Sequence, residues 1–118
     1  MTLRRSFDAG KTVTLDGSGG GRVTLGPVPV GWIWEVERLA VEIAGGVTGN
    51  IGAEARVYRG AEVTSRLIDG TVRAGLDISE LSTPLTLQPP DSLLFVFSGG
   101  TAGAVATAAA SGHTRRQG

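Results

Sequence analysis

The chain has few residue types that carry catalytic or ligand chemistry, and the first candidate is a phosphate-binding motif. Gly10, Lys11 and Thr12 provide the lysine and hydroxyl with which such a loop holds phosphate and magnesium. The motif also requires a glycine where this chain has Arg5, and a helix where this chain continues with an alternating strand pattern. We therefore interpret this segment as a turn and the start of a strand.

A second candidate is a set of acidic residues, Asp69, Asp77 and Glu80, which could serve a calcium ion or an acid–base pair. Calcium takes roughly six to eight oxygen ligands, and the ordered spacing of a calcium loop is missing, so we predict solvated turns. The glycine-rich segment Asp16 to Gly21 has no helix after it, and we predict a flexible hairpin loop there. The sequence predicts no metal site and no cofactor.

The only histidine, His113, lies near the C-terminus beside Arg115 and Arg116, in a segment that we expect to be mobile. A Ser-His-Asp arrangement needs a fixed histidine, so none is predicted. The chain has no cysteine, which excludes disulfides, thiolate metal sites and a Cys-His pair. We predict no catalytic residue and expect a protein that is not an enzyme.

Composition restricts the class of protein further. The 118 residues suit one domain, and with 41% hydrophobic but only 5% aromatic residues the core must be mainly aliphatic. Formal net charge is zero, which gives no electrostatic footprint for nucleic acid and suits a protein that assembles with copies of itself. There is no apolar run of membrane-spanning length and no visible export signal, so we expect synthesis in the cytoplasm and no membrane partner.

Any site in this protein must be held by β-strands, because the residue pattern along the chain is typical of strands. Alternation bounded by turn residues predicts about eight short strands, at 11–15, 22–25, 32–44, 53–59, 63–68, 85–87, 93–98 and 104–109. Asp69-Gly70-Thr71 is the strongest hairpin signal, and Leu76 to Leu81 could form one helical turn. The expected fold is all-β: one antiparallel β-sandwich, jelly-roll-like, or a barrel, over residues 11–110, with a flexible arm at 1–10 and a flexible basic tail at 111–118.

The stretch from Trp32 to Ala44 alternates apolar and polar residues but changes phase halfway. Its apolar residues fall into two triplets of opposite parity, namely Trp32, Trp34 and Val36, then Leu39, Val41 and Ile43. A bulge near Glu37 and Arg38 would bring both triplets into one core. Without a bulge, one triplet faces outward and marks an assembly surface.

Trp32 and Trp34 share a face of this strand, and two interpretations remain open for them. Large aromatic side chains commonly belong to the core of a sandwich. Alternatively, the two rings could stack on a sugar together with Tyr58, as in a carbohydrate-binding module.

Several segments resemble the small virion proteins of tailed phages of actinobacteria. The resemblance covers about residues 26 to 110 and is carried by a proline-glycine-tryptophan-valine-arginine strand and by a late apolar strand that ends in Gly-Gly, here Pro29, Gly31, Trp34, Val36, Arg38 and Leu93 to Gly100. It implies a β-sandwich that assembles on a capsid or tail, and it supplies no catalytic residue.

From the resemblance we expect a non-enzymatic structural protein of the virion, most simply a capsid decoration or minor capsid protein. It would form a homo-oligomer and bind the major capsid or tail protein. The alternative is a tail or fibre component that binds carbohydrate. The candidate interface residues are Arg4, Arg5, Leu39, Val41, Ile43, Arg115 and Arg116.

Overall fold

The protein is a sandwich of two antiparallel four-stranded sheets. The computed structural model describes residues 4–43, 53–70 and 75–117. The larger sheet contains strands of 11 to 13 residues, and the smaller sheet contains strands of four to six. The strands are β1 (Arg4–Thr14), β2 (Gly21–Leu25), β3 (Trp32–Ile43), β4 (Glu54–Arg59), β5 (Leu67–Gly70), β6 (Gly75–Leu87), β7 (Leu93–Ser98) and β8 (Val105–Arg116).

The strand order is that of a jelly roll. The large sheet runs β1-β8-β3-β6 and the small sheet runs β2-β7-β4-β5. The first strand therefore pairs with the last, the second with the seventh, the third with the sixth and the fourth with the fifth. This is the pairing of one long hairpin that has been rolled up. The predicted sandwich is confirmed, and the described strands form two separate sheets rather than a closed barrel.

The space between the sheets is filled by aliphatic side chains and two phenylalanines. Phe95 and Phe97 of β7 lie at the centre of the small sheet, and three alanines of β8 (Ala106, Ala108 and Ala110) lie on the inner face of the large one. Small residues on one sheet thus face large ones on the other, which lets the layers pack closely. Among the described residues, no buried side-chain polar atom lacks a hydrogen-bond partner.

The predicted bulge lies in the middle of β3. Its register with both neighbours, β6 and β8, shifts between Val36 and Arg38, so Glu37 is the extra residue. On either side of it, Val36 and Leu39 are 0% and 2% exposed and belong to the same core. One inserted residue therefore turns two strand segments of opposite parity toward the same interior.

The predicted flexible arm at 1–10 and flexible tail at 111–118 are wrong over the residues of each that the structure describes. Strand β1 begins at Arg4 and β8 continues to Arg116, and the two are paired in continuous register from Arg4 opposite Arg115 to Thr14 opposite Val105. Backbone hydrogen bonds between chain ends that are far apart in sequence thus order both segments. The β domain therefore extends well beyond residues 11–110.

Three local predictions between residues 63 and 81 are also wrong. Asp69 and Gly70 lie within β5, paired with Val57 and Arg56, so they are not a two-residue hairpin turn. The strand predicted at 63–68 is wrong over residues 64–66, which form a short 3-10 helix, whereas Leu67 and Ile68 lie in β5. The possible helical turn at Leu76 to Leu81 is part of the long edge strand β6, because pairing with β3 outweighs weak local propensity.

The predicted flexible loop at Asp16 to Gly21 is a hydrogen-bonded turn. The Asp16 carboxylate accepts hydrogen bonds from the Ser18 hydroxyl (2.7 Å), the Ser18 amide (2.9 Å) and the Gly20 amide (3.0 Å). These hydrogen bonds lower the pKa of Asp16, and the bond from the Ser18 hydroxyl has the largest effect. Gly19 contributes its carbonyl to the Gly100 amide (3.0 Å), which fixes the loop against the one before β8.

Candidate functional site

The broadest surface of the molecule is the outer face of the large sheet. Residues directly opposite in an antiparallel pair share a face, so the register divides this surface into rows that cross β1, β8, β3 and β6. The bulge separates two regions. We call the region around Glu35, Glu37, His113 and Arg115 the crowded half, and the row Gly10, Ala109, Ala40 and Ile78 the smooth row.

The crowded half is a network of charged side chains. His113 Nδ1 is hydrogen-bonded to Glu37 Oε1, and Arg115 Nε donates to Glu35 Oε1 at 3.3 Å. Since a carboxylate only accepts, Nδ1 of His113 carries the hydrogen. Glu37 and His113 border an open groove of about 680 Å³, which is also lined by Ser6, Phe7, Asp8, Arg38, Glu80, Leu81, Pro84, Ser111 and Gly112.

His113 therefore lies in strand β8, and the prediction that it belongs to a mobile tail is wrong. Its bond to Glu37 orients the imidazole, and Ser6 is its register partner on β1. The groove is open to solvent along its length, and Glu37 and His113 are about two-fifths exposed. Among the described residues, no group of three or more His, Cys, Asp or Glu could hold a metal ion.

Gly112 lets the backbone of β8 approach the backbone of β3 closely at the bulge. It lies opposite both Phe7 and Val36, and a Cβ atom built on it would lie 2.1 Å from the Glu35 carbonyl oxygen. The Phe7 and Trp34 rings stack at 4.6 Å between centroids, with 28° between their planes. Both rings pack against the core on the inner face. Gly112 thus fits β8 against the bulged backbone of β3.

The smooth row contrasts with this network. Ala40 and Ala109 are half-buried, and Ile78 at the β6 end is 48% exposed. One neighbouring row carries Asp8, Ser111, Arg38 and Glu80, and the other carries Thr12, Thr107 and Glu42. Arg38 Nη2 donates to Glu80 Oε1 at 2.8 Å, and both side chains are more than half exposed. The centre of the face is thus low and apolar, with charges on both sides.

The three residues of the carbohydrate hypothesis do not form one platform. Trp34 and Trp32 are half-buried; Trp34 stacks on Phe7, and the Arg116 guanidinium lies 5.4 Å from the Trp32 ring centroid. Tyr58 belongs to the small sheet and is 7% exposed. The prediction that Tyr58 is part of a stacking surface with the tryptophans is therefore wrong.

The predicted interface residues divide into two groups. Leu39, Val41 and Ile43 are buried in the chain's own core, because the bulge turns them inward, so they are not available to a second subunit. Arg5 is exposed and Arg115 is paired with Glu35; the side chain of Arg4 lies outside the described residues.

The motifs considered from sequence are spread over the fold. Gly10, Lys11 and Thr12 are consecutive positions in β1, opposite Ala109, Ala108 and Thr107. Asp69 lies in the small sheet, whereas Glu80 lies in the large one and bonds Arg38. The side chain of the third acid, Asp77, is outside the described residues.

Arg59 ties the small sheet to β6 and to the loop that follows β6, beside the crowded half. Arg59 Nη2 donates to Asp91 Oδ2 at 2.8 Å and to the Thr86 carbonyl at 3.2 Å. Burial alone would raise the pKa of Asp91, but the hydrogen bond from Arg59, the Gln88 amide and the nearby arginine charges outweigh it. The net result is a lowered pKa.

No protein-family model matches the chain, and no curated protein sequence matches it. Within the described residues, no helix is long and apolar enough to span a membrane.

Sequence reasoning missed the smooth row and Gly112. The segment Val105 to Ser111 is rich in alanine, and Ala109 is indistinguishable by type from its buried neighbours Ala108 and Ala110. One signal was available, since Ala40 holds a polar-face position between Arg38 and Glu42. Nothing in the sequence indicated a close strand contact at Gly112, because a glycine in a polar segment near the C-terminus is typical of a flexible tail.

Proposed function

We propose that this protein is a non-enzymatic structural component of a phage particle, a capsid decoration or minor capsid protein. It would act as a homo-oligomer on the major capsid or tail protein. The observation that carries the proposal is the jelly-roll wrapping around a filled apolar interior. Jelly rolls recur in viral capsid proteins and also in lectins and cupins, so the fold alone does not choose among them.

The interior between the sheets offers little room for a ligand, and the apolar row on the outer face of the large sheet favours assembly. The cavity between the sheets beside Leu39 and Val57 has a volume of about 20 Å³, room for little more than one water molecule. The outer face of the large sheet, by contrast, presents an apolar centre between charged rows, which is the anatomy of an interface. The assignment to a phage particle rests on the sequence resemblance at residues 26–110.

Phage particles carrying and lacking this protein provide the test. We expect the protein in purified particles by mass spectrometry at a fixed ratio to the coat protein. We also expect particles without it to lose their genome at a lower temperature. Absence of the protein from purified particles, or equal heat resistance of particles with and without it, would contradict the proposal.

Carbohydrate binding remains the second candidate, because Trp32 and Trp34 keep part of their surface exposed. Glycan-array binding that Trp34→Ala abolishes in a folded protein would favour a tail or fibre role. Complete absence of glycan binding would remove it.

A further inference from the structure

We infer that the smooth row is the centre of a two-fold interface with a second copy of this chain, in which Arg38 of each subunit faces Glu42 of the other. This inference rests on the proposed function, since it names the surface through which the homo-oligomer forms. It is carried by the charge pattern on either side of the row.

The smooth row allows two sheets to approach closely. Gly10, Ala109 and Ala40 project little from the sheet, and Ile78 continues the apolar surface at the β6 end. Sheets pack face to face at about 10 Å when ordinary side chains interdigitate. Water released from this apolar row would stabilise the contact, and the polar rows beside it would form the rim.

The charges select the direction of the two-fold axis. An axis along the smooth row places the row of Arg38 over the partner's row of Glu42, so each dimer contains that oppositely charged contact twice. The same axis places Ser111 over the partner's Thr107. An axis along the strands instead places Asp8 over the partner's Glu80, which brings two carboxylates together.

The geometry leaves both long side chains within reach. Arg38 and Glu42 are each two residues from Ala40, about 7 Å along the strand. A rotation of about 30° between packed sheets shifts such positions sideways by only about 3 to 4 Å. Arg38 keeps its bond to Glu80 and would bridge the carboxylates of both subunits.

The area is sufficient for a specific contact of modest strength. Strands β1 and β8 continue four residues past Gly10 and Ala109, to Thr14 and Val105. Four strands overlapping for about eight residues cover roughly 19 by 26 Å, or about 500 Å² per subunit. The total of about 1,000 Å² is the lower limit for a specific interface, so the dimer should dissociate on dilution.

Charge reversal tests the contact. Arg38→Glu and Glu42→Arg should each weaken dimerisation at least about tenfold in sedimentation equilibrium, because each replaces two attractions by two repulsions. The double variant R38E/E42R should dimerise at least about threefold more tightly than R38E, since reversing both positions restores opposite charges across the contact and the loss of the Arg38–Glu80 bond is common to both variants. Arg56→Glu is the control, because Arg56 is exposed on the outer face of the small sheet. Circular dichroism melts establish that each variant is folded.

The outcomes separate this inference from the proposed function. The interface would be wrong if neither single charge reversal weakened dimerisation, or if the double variant dimerised as weakly as R38E. Either result would leave a homo-oligomeric structural role intact. A wild-type chain that stays monomeric up to millimolar concentration overturns the interface and the homo-oligomer together. If particles without the protein were as heat-resistant as particles with it, the proposed function would be wrong, whichever surface forms the dimer.

Discussion

The two halves of the large sheet use the same four strands differently. Before the bulge, the outer face carries paired charges and the inner face carries stacked rings, as in His113 with Glu37 and Phe7 with Trp34. After the bulge, alanines occupy both faces of β8, with Ala108 buried and Ala109 facing outward. The first half pairs its charged side chains with one another, whereas the second has an apolar row between rows that carry charges. This difference shows how one extra residue can set the phase of the core and also divide the surface.

Removal of the bulge residue should have the largest effect on the protein. Deletion of Glu37 restores strict alternation, so one of the two apolar triplets must leave the core. Each large aliphatic side chain contributes roughly 1.5–3 kcal/mol on burial, and the total loss of about 5 kcal/mol or more approaches the whole stability of a domain. We expect the variant to be unfolded in far-ultraviolet circular dichroism and urea titration.

Glu37→Ala is the matched control, because it removes the carboxylate and keeps the residue count. It loses the half-exposed contact with His113, and we expect a decrease of about 1 kcal/mol or less. If the deletion and the substitution lowered the free energy of unfolding equally, the extra residue in β3 would not be needed to place both apolar triplets in the core.

A smaller effect is expected at Gly112, where the crowded half leaves no space. The Cβ atom of Gly112→Ala would lie 2.1 Å from the Glu35 oxygen and 2.9 Å from the Glu37 nitrogen, so the backbone at the bulge must move. We expect a loss of about 3 kcal/mol in free energy of unfolding, measured by urea denaturation with tryptophan fluorescence.

Gly10→Ala is the corresponding change in the smooth row. Its Cβ would meet the Ala108 oxygen at 3.4 Å and the Ala109 Cβ at 3.7 Å, which are ordinary contacts. We expect a change within about 0.5 kcal/mol. Equal losses at Gly10 and Gly112 would mean that the two halves do not differ in packing.

These positions show what the sequence could predict. The parity change in β3 predicted a bulge because the apolar pattern of a strand is local and readable in one segment. The ordered termini could not be predicted as readily, since Arg4 pairs with Arg115 across almost the whole chain. The alternation of Phe7 and Ala9 with Ser6 and Asp8 was a signal for β1, but it was too short to identify a strand on its own.

The smallest expected effect concerns the link between the crowded half and the small sheet. Asp91 has a lowered pKa in the folded protein, so its contribution is present above the unfolded value of about 3.9 and is lost as pH falls through the lower folded value. We expect Asp91→Asn to lose less stability than wild type between pH 5 and pH 2 in urea titrations.

Arg59→Gln should flatten the same acid limb, because it removes the hydrogen bond and charge that lower the pKa of Asp91. If both variants lost as much free energy of unfolding as wild type between pH 5 and pH 2, the Arg59–Asp91 pair would not contribute to the pH dependence of stability.

Cross-linking of single cysteines tests most directly whether the smooth row is the surface that contacts a second copy of the chain. The chain has no cysteine, so Ala40→Cys and Ser6→Cys each carry one. Position 40 lies on the proposed two-fold axis, whereas Ser6, in the crowded half, would be roughly 25 Å or more from its counterpart by strand geometry. A bismaleimide of about 10 Å, the spacing of packed sheets, should join Ala40→Cys into a covalent dimer and leave Ser6→Cys monomeric. Equal cross-linking of the two variants, or none at position 40 under conditions where wild type is dimeric, would contradict the account.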